Sequence, residues 1–194
     1  MPTSEFKTLF VPYQEKDFSL ANTNPLVTFG ASMGLKTSVS ISWEGPYDGD
    51  PIEAQKKAKL RVILECEGGD PESPEEEVRI QIDTVGDHQA HLEIGTNTVG
   101  KSFGAVYRRT RTGYRKNSLW SCDDLGLAIR SLPDGRVGWV ADFAIPFAAI
   151  SNDLDRPLGE WWINFKRISP CEGGAEFTQM LQFAKLHFVG LTKC

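Results

Sequence analysis

Two aromatic-rich segments on either side of a proline-started turn, Gly135 to Arg167 (GRVGWVADFAIPFAAISNDLDRPLGEWWINFKR), constrain this chain more than any other part of it. In the first, Val137, Trp139, Ala141, Phe143 and Ile145 share one parity, while Gly138, Val140, Asp142 and Ala144 share the other. A period of two with the bulky apolar groups on one side predicts a strand with one face in a core. Pro146 lacks a backbone donor and has a fixed φ, so it ends the ladder and suits the first turn of a short helix over Phe147 to Ile150. The second strand, Glu160 to Ile168, puts Trp161, Ile163, Phe165 and Arg167 on one side and Trp162, Asn164, Lys166 and Ile168 on the other. That mixed second side reads as facing a groove. Trp139 and Trp161 are assigned to the core, so the unit builds a core and not a catalytic centre.

Other strands follow from the same alternation. Thr37, Val39, Ile41 and Trp43 oppose Lys36, Ser38, Ser40 and Ser42; Leu60, Val62, Leu64 and Cys66 oppose Arg61, Ile63 and Glu65; Val78, Ile80 and Ile82 oppose Arg79, Gln81 and Asp83. Further strands are expected at Leu26 to Phe29, Gln89 to Ile94, Phe103 to Arg109 and Gly126 to Arg130. Phe6 to Tyr13, interrupted by Pro12, reads as an edge strand or strap. Residues 52 to 57 could open a short helix. Phe177 to Phe183 and Lys185 to Leu191 read as one long or bulged strand, and Gly113 to Asp124 as a long loop. The acidic, proline-bearing run Glu67 to Glu77 is an exposed connection.

The expected fold is therefore all-β: an antiparallel β-sandwich of about nine to eleven strands in two sheets, with a short helical turn near Pro146 to Ile150. Parallel crossovers need a dozen or more residues each, which these short connections do not supply. A closed barrel is the structural rival, because periodicity shows strands and not how sheets close. No long polar linker divides the 194 residues, and 40% hydrophobic content suffices for a substantial core, so residues 1–194 are expected to form a single domain.

With 21 basic and 26 acidic residues the formal charge is -5, which argues against a general nucleic-acid binder. The exception is one basic run, Arg108, Arg109, Arg111, Arg115 and Lys116, which reads either as a solvated hairpin flank or as guanidinium forks for an acidic or polyhydroxylated ligand. No stretch approaches the ~18 apolar residues of a membrane span, so no membrane partner is expected. The first residues lack a basic region followed by an apolar core and a cleavage site. Localisation stays open between secreted or periplasmic, if an export signal was removed, and cytoplasmic. Cys66, Cys122, Cys171 and Cys194 have no zinc-type spacing; a Cys122 to Cys171 disulfide is conceivable, but four cysteines allow three complete pairings and free thiols are equally compatible.

A strand ending in an apolar-Ala/Glu-Ile-Pro-Phe/Trp turn, then a Gly-acidic step, then Trp-x-x-Asn-Phe-x-Arg, is carried here by Val140 to Phe147, Gly159 to Trp161, and Asn164, Phe165 and Arg167. This pattern resembles the closing third of family 9-like carbohydrate-binding modules. Lys59 to Cys66 and Glu77 to Asp83 fit two of that family's earlier strands loosely. The resemblance implies a β-sandwich, usually secreted or attached to glycan-active enzymes, that holds the end of a sugar chain between aromatic rings. It also implies structural calcium, for which the acidic pairs Asp48 with Asp50, Asp123 with Asp124, and Asp153 with Asp155 are available, although none matches a twelve-residue calcium loop.

A sugar site needs flat apolar surface for pyranose C–H faces and directional polar groups for hydroxyls. The candidate platforms are Trp43, Tyr47, Trp120 and Trp162, with Asn164, Arg109 and Arg111 as hydrogen-bond donors. Asn164 and Arg167 fall on opposite faces of a regular strand, so a bulge or a structural role for one of them is expected.

Catalytic readings are weaker. His88, His91 and His187 with Glu93 could form a metal site only if the fold brought them together, and a spacing of three puts the first two on opposite faces. There is no nucleophile elbow, phosphate-binding glycine loop or dinucleotide fingerprint, and carboxylate spacing in sequence does not define a hydrolytic pair. The expected function is a non-catalytic module recognising a glycan or sugar end. The alternative is a structural or interaction sandwich with a protein partner or self-association.

Overall fold

The computed structural model describes residues 8–13, 27–30, 34–46, 50–122, 124–152, 154–155, 158–170, 183–188 and 191, and the backbone of 173–176. Thirteen strands form two sheets: β1 Thr8–Val11, β2 Val27–Phe29, β3 Thr37–Glu44, β4 Lys59–Glu67, β5 Glu77–Asp83, β6 Ala90–Asn97, β7 Ser102–Thr110, β8 Gly113–Leu119, β9 Gly126–Ser131, β10 Gly138–Pro146, β11 Trp161–Ser169, β12 Gly173–Glu176 and β13 Ala184–Phe188. One sheet runs β1-β13-β11-β5-β6-β7-β8 with β12 pairing to β11, and the other runs β2-β3-β4-β10-β9. Two short helices, α1 Pro51–Lys57 and α2 Phe147–Ile150, complete the described elements. The chain is an all-β sandwich, and the barrel alternative does not hold.

Two expectations change. Strands number thirteen among the described residues, above the nine to eleven expected, partly because Gly113 to Leu119 is β8 and not loop. Its exposed Arg-Lys-Asn-Ser-Leu run has no apolar face, since it ends the sheet order and packs little, so alternation could not reveal it. Pairing is also mixed: β1 runs parallel to β13, an edge addition that turn chemistry does not predict. Phe177 to Gln182, expected in a terminal strand, lie outside the described residues.

One core joins the sheets. Trp43, Leu60, Trp139 and Phe143 of the smaller sheet meet Ile80, Trp161, Phe165 and Phe188 of the larger, and all are essentially inaccessible. The Pro146 turn works as expected: α2 begins at Phe147, and Phe147, Trp161 and Phe188 form a triangle with centroids 4.8 to 5.2 Å apart. Rings at these separations and tilts add specific pairing energy to their burial. Asp50 caps α1 by accepting from the Ile52 amide, and Pro51 occupies the first helical position.

Arg167 is the exception within this apolar face. It is fully buried, with its guanidinium donating to the carbonyls of Glu67 and Gly68 at 2.8 and 2.5 Å and to Glu76 at 3.4 Å. A strand of the larger sheet is thereby tied to the end of β4 in the smaller one. Gly69 adopts φ +73°, and a β-carbon there would lie 2.3 Å from Glu76 Oε1, so the turn around this ion pair admits no side chain.

Candidate ligand cleft on the larger sheet

The face of the larger sheet turned away from the core is polar because β5, β6 and β11 place their second parity there. Register aligns Asn164 with Gln81, and Gln81 with Glu93. Their side chains follow: Asn164 Nδ2 donates to Gln81 Oε1 at 3.0 Å, and Gln81 Nε2 donates to Glu93 Oε2 at 2.9 Å. Arg79 Nη1 donates to the other oxygen of Glu93 at 3.1 Å, and Arg79 Nη2 to Glu77 at 2.7 Å. Burial works against the Arg79 charge, yet the hydrogen bond to Glu77 and the charges of Glu93 and Glu77 hold its pKa above the ordinary value. Such a chained network fixes each member's orientation more firmly than isolated pairs would.

Glu77, Arg79 and Glu93 of this network form the floor of an open cleft of about 580 Å³. Its walls are Phe103, Tyr107, Lys116 and Trp120, with Leu119 at the rim. The Arg79 guanidinium lies 5.2 Å from the Phe103 ring centroid, a cation–π contact that joins floor to wall. Burial, followed by the charge of Glu93, raises the phenol pKa of Tyr107. Trp120 approaches the sheet closely because position 104 is glycine: a β-carbon there would sit 2.8 Å from Trp120 Cε3 and 2.5 Å from its carbonyl oxygen.

The residues expected from sequence to bind ligand disperse. Trp120 is half-buried and lines the cleft, and Asn164, fully buried, reaches it only through Gln81 and Glu93. Arg109 and Arg111 are exposed on the β7–β8 hairpin. Trp43 is 0% exposed in the core against Tyr13, so it offers no ring face to a ligand and its assignment as a platform is withdrawn. Trp162 is also withdrawn. Although on the outer parity, it is buried, with His88 edge-on at 4.9 Å, because Asp83 folds the following loop over it by accepting from the amides of Val85, Gly86 and His88. Tyr47 lies outside the described residues. A smaller cleft of about 420 Å³ opens beside Tyr13, Pro46 and Lys59, where Tyr13 is already tilted onto Trp43.

Sequence reasoning missed Glu77, Arg79, Phe103 and Tyr107 as site residues. The signal was the alternation Glu77-x-Arg79-x-Gln81-x-Asp83 on a strand whose other face is Val and Ile, matched by His91-x-Glu93 on the next strand. Two adjacent strands with ionisable outer faces mark a polar sheet surface, but only register shows which charges meet.

No group of three or more His, Cys, Asp and Glu able to hold a metal ion occurs among the described residues. His91 is enclosed by aromatic rings, His88 lies against Trp162 and His187 against Phe10, so the three histidines do not converge. Of the acidic pairs considered for calcium, Asp48, Asp123 and Asp153 lie outside the described residues, while Asp50 caps α1 and Asp155 pairs with Lys56 at 2.8 Å. Cys66 is buried and unbridged; Cys171 and Cys194 lie outside the described residues. No described helix is long and apolar enough to cross a membrane.

No protein-family model matches the chain, and no curated protein matches it in sequence. In structure it is similar to a protein from Bacteroides uniformis ATCC 8492 described as a "putative carbohydrate-binding protein", with a TM-score of 0.57 at 12% identity, covering 95% of this chain and 100% of that one. The two share a fold over nearly their whole lengths. At this identity the likeness concerns architecture, and it does not extend to the family 9-like assignment.

Proposed function

We propose that the chain is a non-catalytic carbohydrate-binding module whose glycan lies across the outer face of the larger sheet, in the cleft between Trp120 and Phe103. The observation that carries this reading is the pairing of aromatic walls with a pre-oriented polar floor. Trp120 and Phe103 supply apolar surface for pyranose C–H faces, while Arg79, Lys116, Tyr107 and Glu93 supply donors and acceptors for hydroxyls. Glu77 and Glu93 are both engaged by Arg79, an arrangement suited to fixed hydrogen-bond acceptors more than to proton transfer. The fold shared with the Bacteroides protein supports the same class of function. Asn164, central to the family 9-like resemblance, belongs to this reading as a buttress of the floor.

A glycan array probed with the purified protein, with and without calcium, tests the proposal. Saturable binding to defined glycans is expected. Silence across a broad array overturns it and favours the interaction-module reading, for which the exposed Leu119 on β8, at the end of the sheet order, is the specific observation.

A further inference from the structure

The β7–β8 hairpin gathers Arg108, Arg109, Arg111, Arg115 and Lys116 within nine residues, and all five are exposed. From Lys101 to Ser121 the sequence contains no Asp or Glu, although the whole chain has a formal charge of -5. Elsewhere the described arginines are matched: Arg61, Arg79, Arg130, Arg136 and Arg167 all have carboxylate partners. None of the five hairpin cations has one among the described residues. Arg108 and Arg115 stand directly opposite each other in register, on the other face of the hairpin from Tyr107 and Lys116.

The hairpin is continuous with the cleft. Tyr107 pairs with Lys116 in register and both line the cleft; Arg109 pairs with Tyr114 one step further out, on the same face of the sheet. A chain leaving the cleft along this face runs directly over Arg109 toward Arg111 in the exposed turn. Their guanidinium groups offer planar forks that match carboxylates.

We propose that the ligand is an acidic, uronate-bearing glycan: sugar rings occupy the Trp120 and Phe103 cleft while carboxylates beyond it are taken by Arg109 and Arg111. This inference rests on the carbohydrate reading above and adds the charge of the polymer. Nucleic acid and anionic membranes fit less well, because the unmatched arginines among the described residues are confined to one hairpin of a chain with net negative charge, and polyphosphate or lipid contact would bring its carboxylates close.

The test is calorimetric titration of the full chain with a polygalacturonate oligomer and with the same oligomer after its carboxylates are reduced to alcohols. The expected result is binding at least about tenfold tighter to the uronate, weakening as salt rises from about 50 to about 500 mM, since exposed charges are screened within about a Debye length. The variant Arg109→Ala/Arg111→Ala, checked for an unchanged thermal midpoint, is expected to lose the preference for the uronate. Equal, salt-insensitive affinity for the two oligomers overturns the acidic-ligand inference and leaves the carbohydrate reading standing. Binding of neither oligomer also overturns it, with the array deciding the broader reading separately. Single-stranded DNA or phosphatidylserine vesicles binding as tightly as the uronate would overturn it as well, by showing that charge alone governs the hairpin.

Discussion

The guanidinium of Arg167 and the carboxylate of Glu76 lie 3.4 Å apart with neither side chain exposed to solvent, inside an otherwise apolar sandwich. Three backbone carbonyls, those of Lys36, Glu67 and Gly68, take the remaining guanidinium protons. The arginine of the Trp-x-x-Asn-Phe-x-Arg pattern thus holds the two sheets together and has no route to a ligand. Asn164, three residues earlier and on the opposite face, contributes to the cleft side. No bulge is needed to reconcile them: the motif serves both faces of one regular strand.

Removing Arg167 leaves Glu76 buried and uncompensated. Arg167→Ala is expected to lower stability by about 3–5 kcal/mol, and Arg167→Lys to rescue little of it, because an ammonium cannot reach carboxylate and carbonyls with the same fork. Urea denaturation measures both. A further change of Glu76→Leu in the Arg167→Met background is expected to restore part of the loss, and a cost below about 1 kcal/mol for Arg167→Ala would contradict the tie.

Two tryptophans are expected to separate binding from folding. Trp139 is 2% exposed, and Trp139→Ala should cost about 3–5 kcal/mol as a large core truncation. Trp120 is half-buried at the cleft wall, and Trp120→Ala should reduce glycan affinity at least about tenfold while moving the thermal midpoint by only a few degrees. Thermal unfolding and titration of both variants check this; an unfolded Trp120→Ala protein would make that residue a core element.

His91 predicts a pH dependence. Its ring stacks on Tyr107 at 5.2 Å and is met edge-on by Tyr114 and Phe183, with neither nitrogen hydrogen-bonded among the described residues. Burial pushes its pKa down to about 4, against the opposing charges of Glu93 and Asp83. The unfolded chain takes up this proton near pH 6.5, so the contribution is complete above that pH and declines as pH falls toward 4, by at most about 3 kcal/mol. The difference in stability between wild type and His91→Phe, measured at pH 7.5 and 4.5, isolates this group from the carboxylates. A difference that does not change with pH would show that His91 titrates normally.

Cys66 is fully buried, and desolvation pushes its thiol up to about 12. Alkylation at pH 8 followed by peptide mass spectrometry should leave Cys66 unmodified in the native protein and label it in denaturant. Rapid native labelling at this position would contradict the packing of β4.

Much of the sandwich was legible in sequence because its inner strands carry a strict period of two: β3, β4, β5, β10 and β11 all appear where alternation puts them. Strand β8 escaped because an exposed edge strand has no buried face to write a pattern. The site was less legible for a related reason. Trp43 and Trp162 looked available because a tryptophan's sequence neighbours do not reveal what covers it; a second sheet covers the first, and the loop pinned by Asp83 covers the second. Arg79, Glu93 and Tyr107 come together only through cross-strand register, which the sequence encodes in pairings many residues apart.

The most direct test of the cleft assignment uses the chain's five tryptophans as reporters. Their indole N–H signals can be followed by two-dimensional NMR while the tightest glycan from the array is titrated in. The cleft assignment predicts that the Trp120 signal shifts and saturates with the binding isotherm while those of Trp43, Trp139, Trp161 and Trp162 stay within their free positions. Saturable binding that leaves Trp120 unmoved would place the glycan elsewhere on the molecule and contradict it.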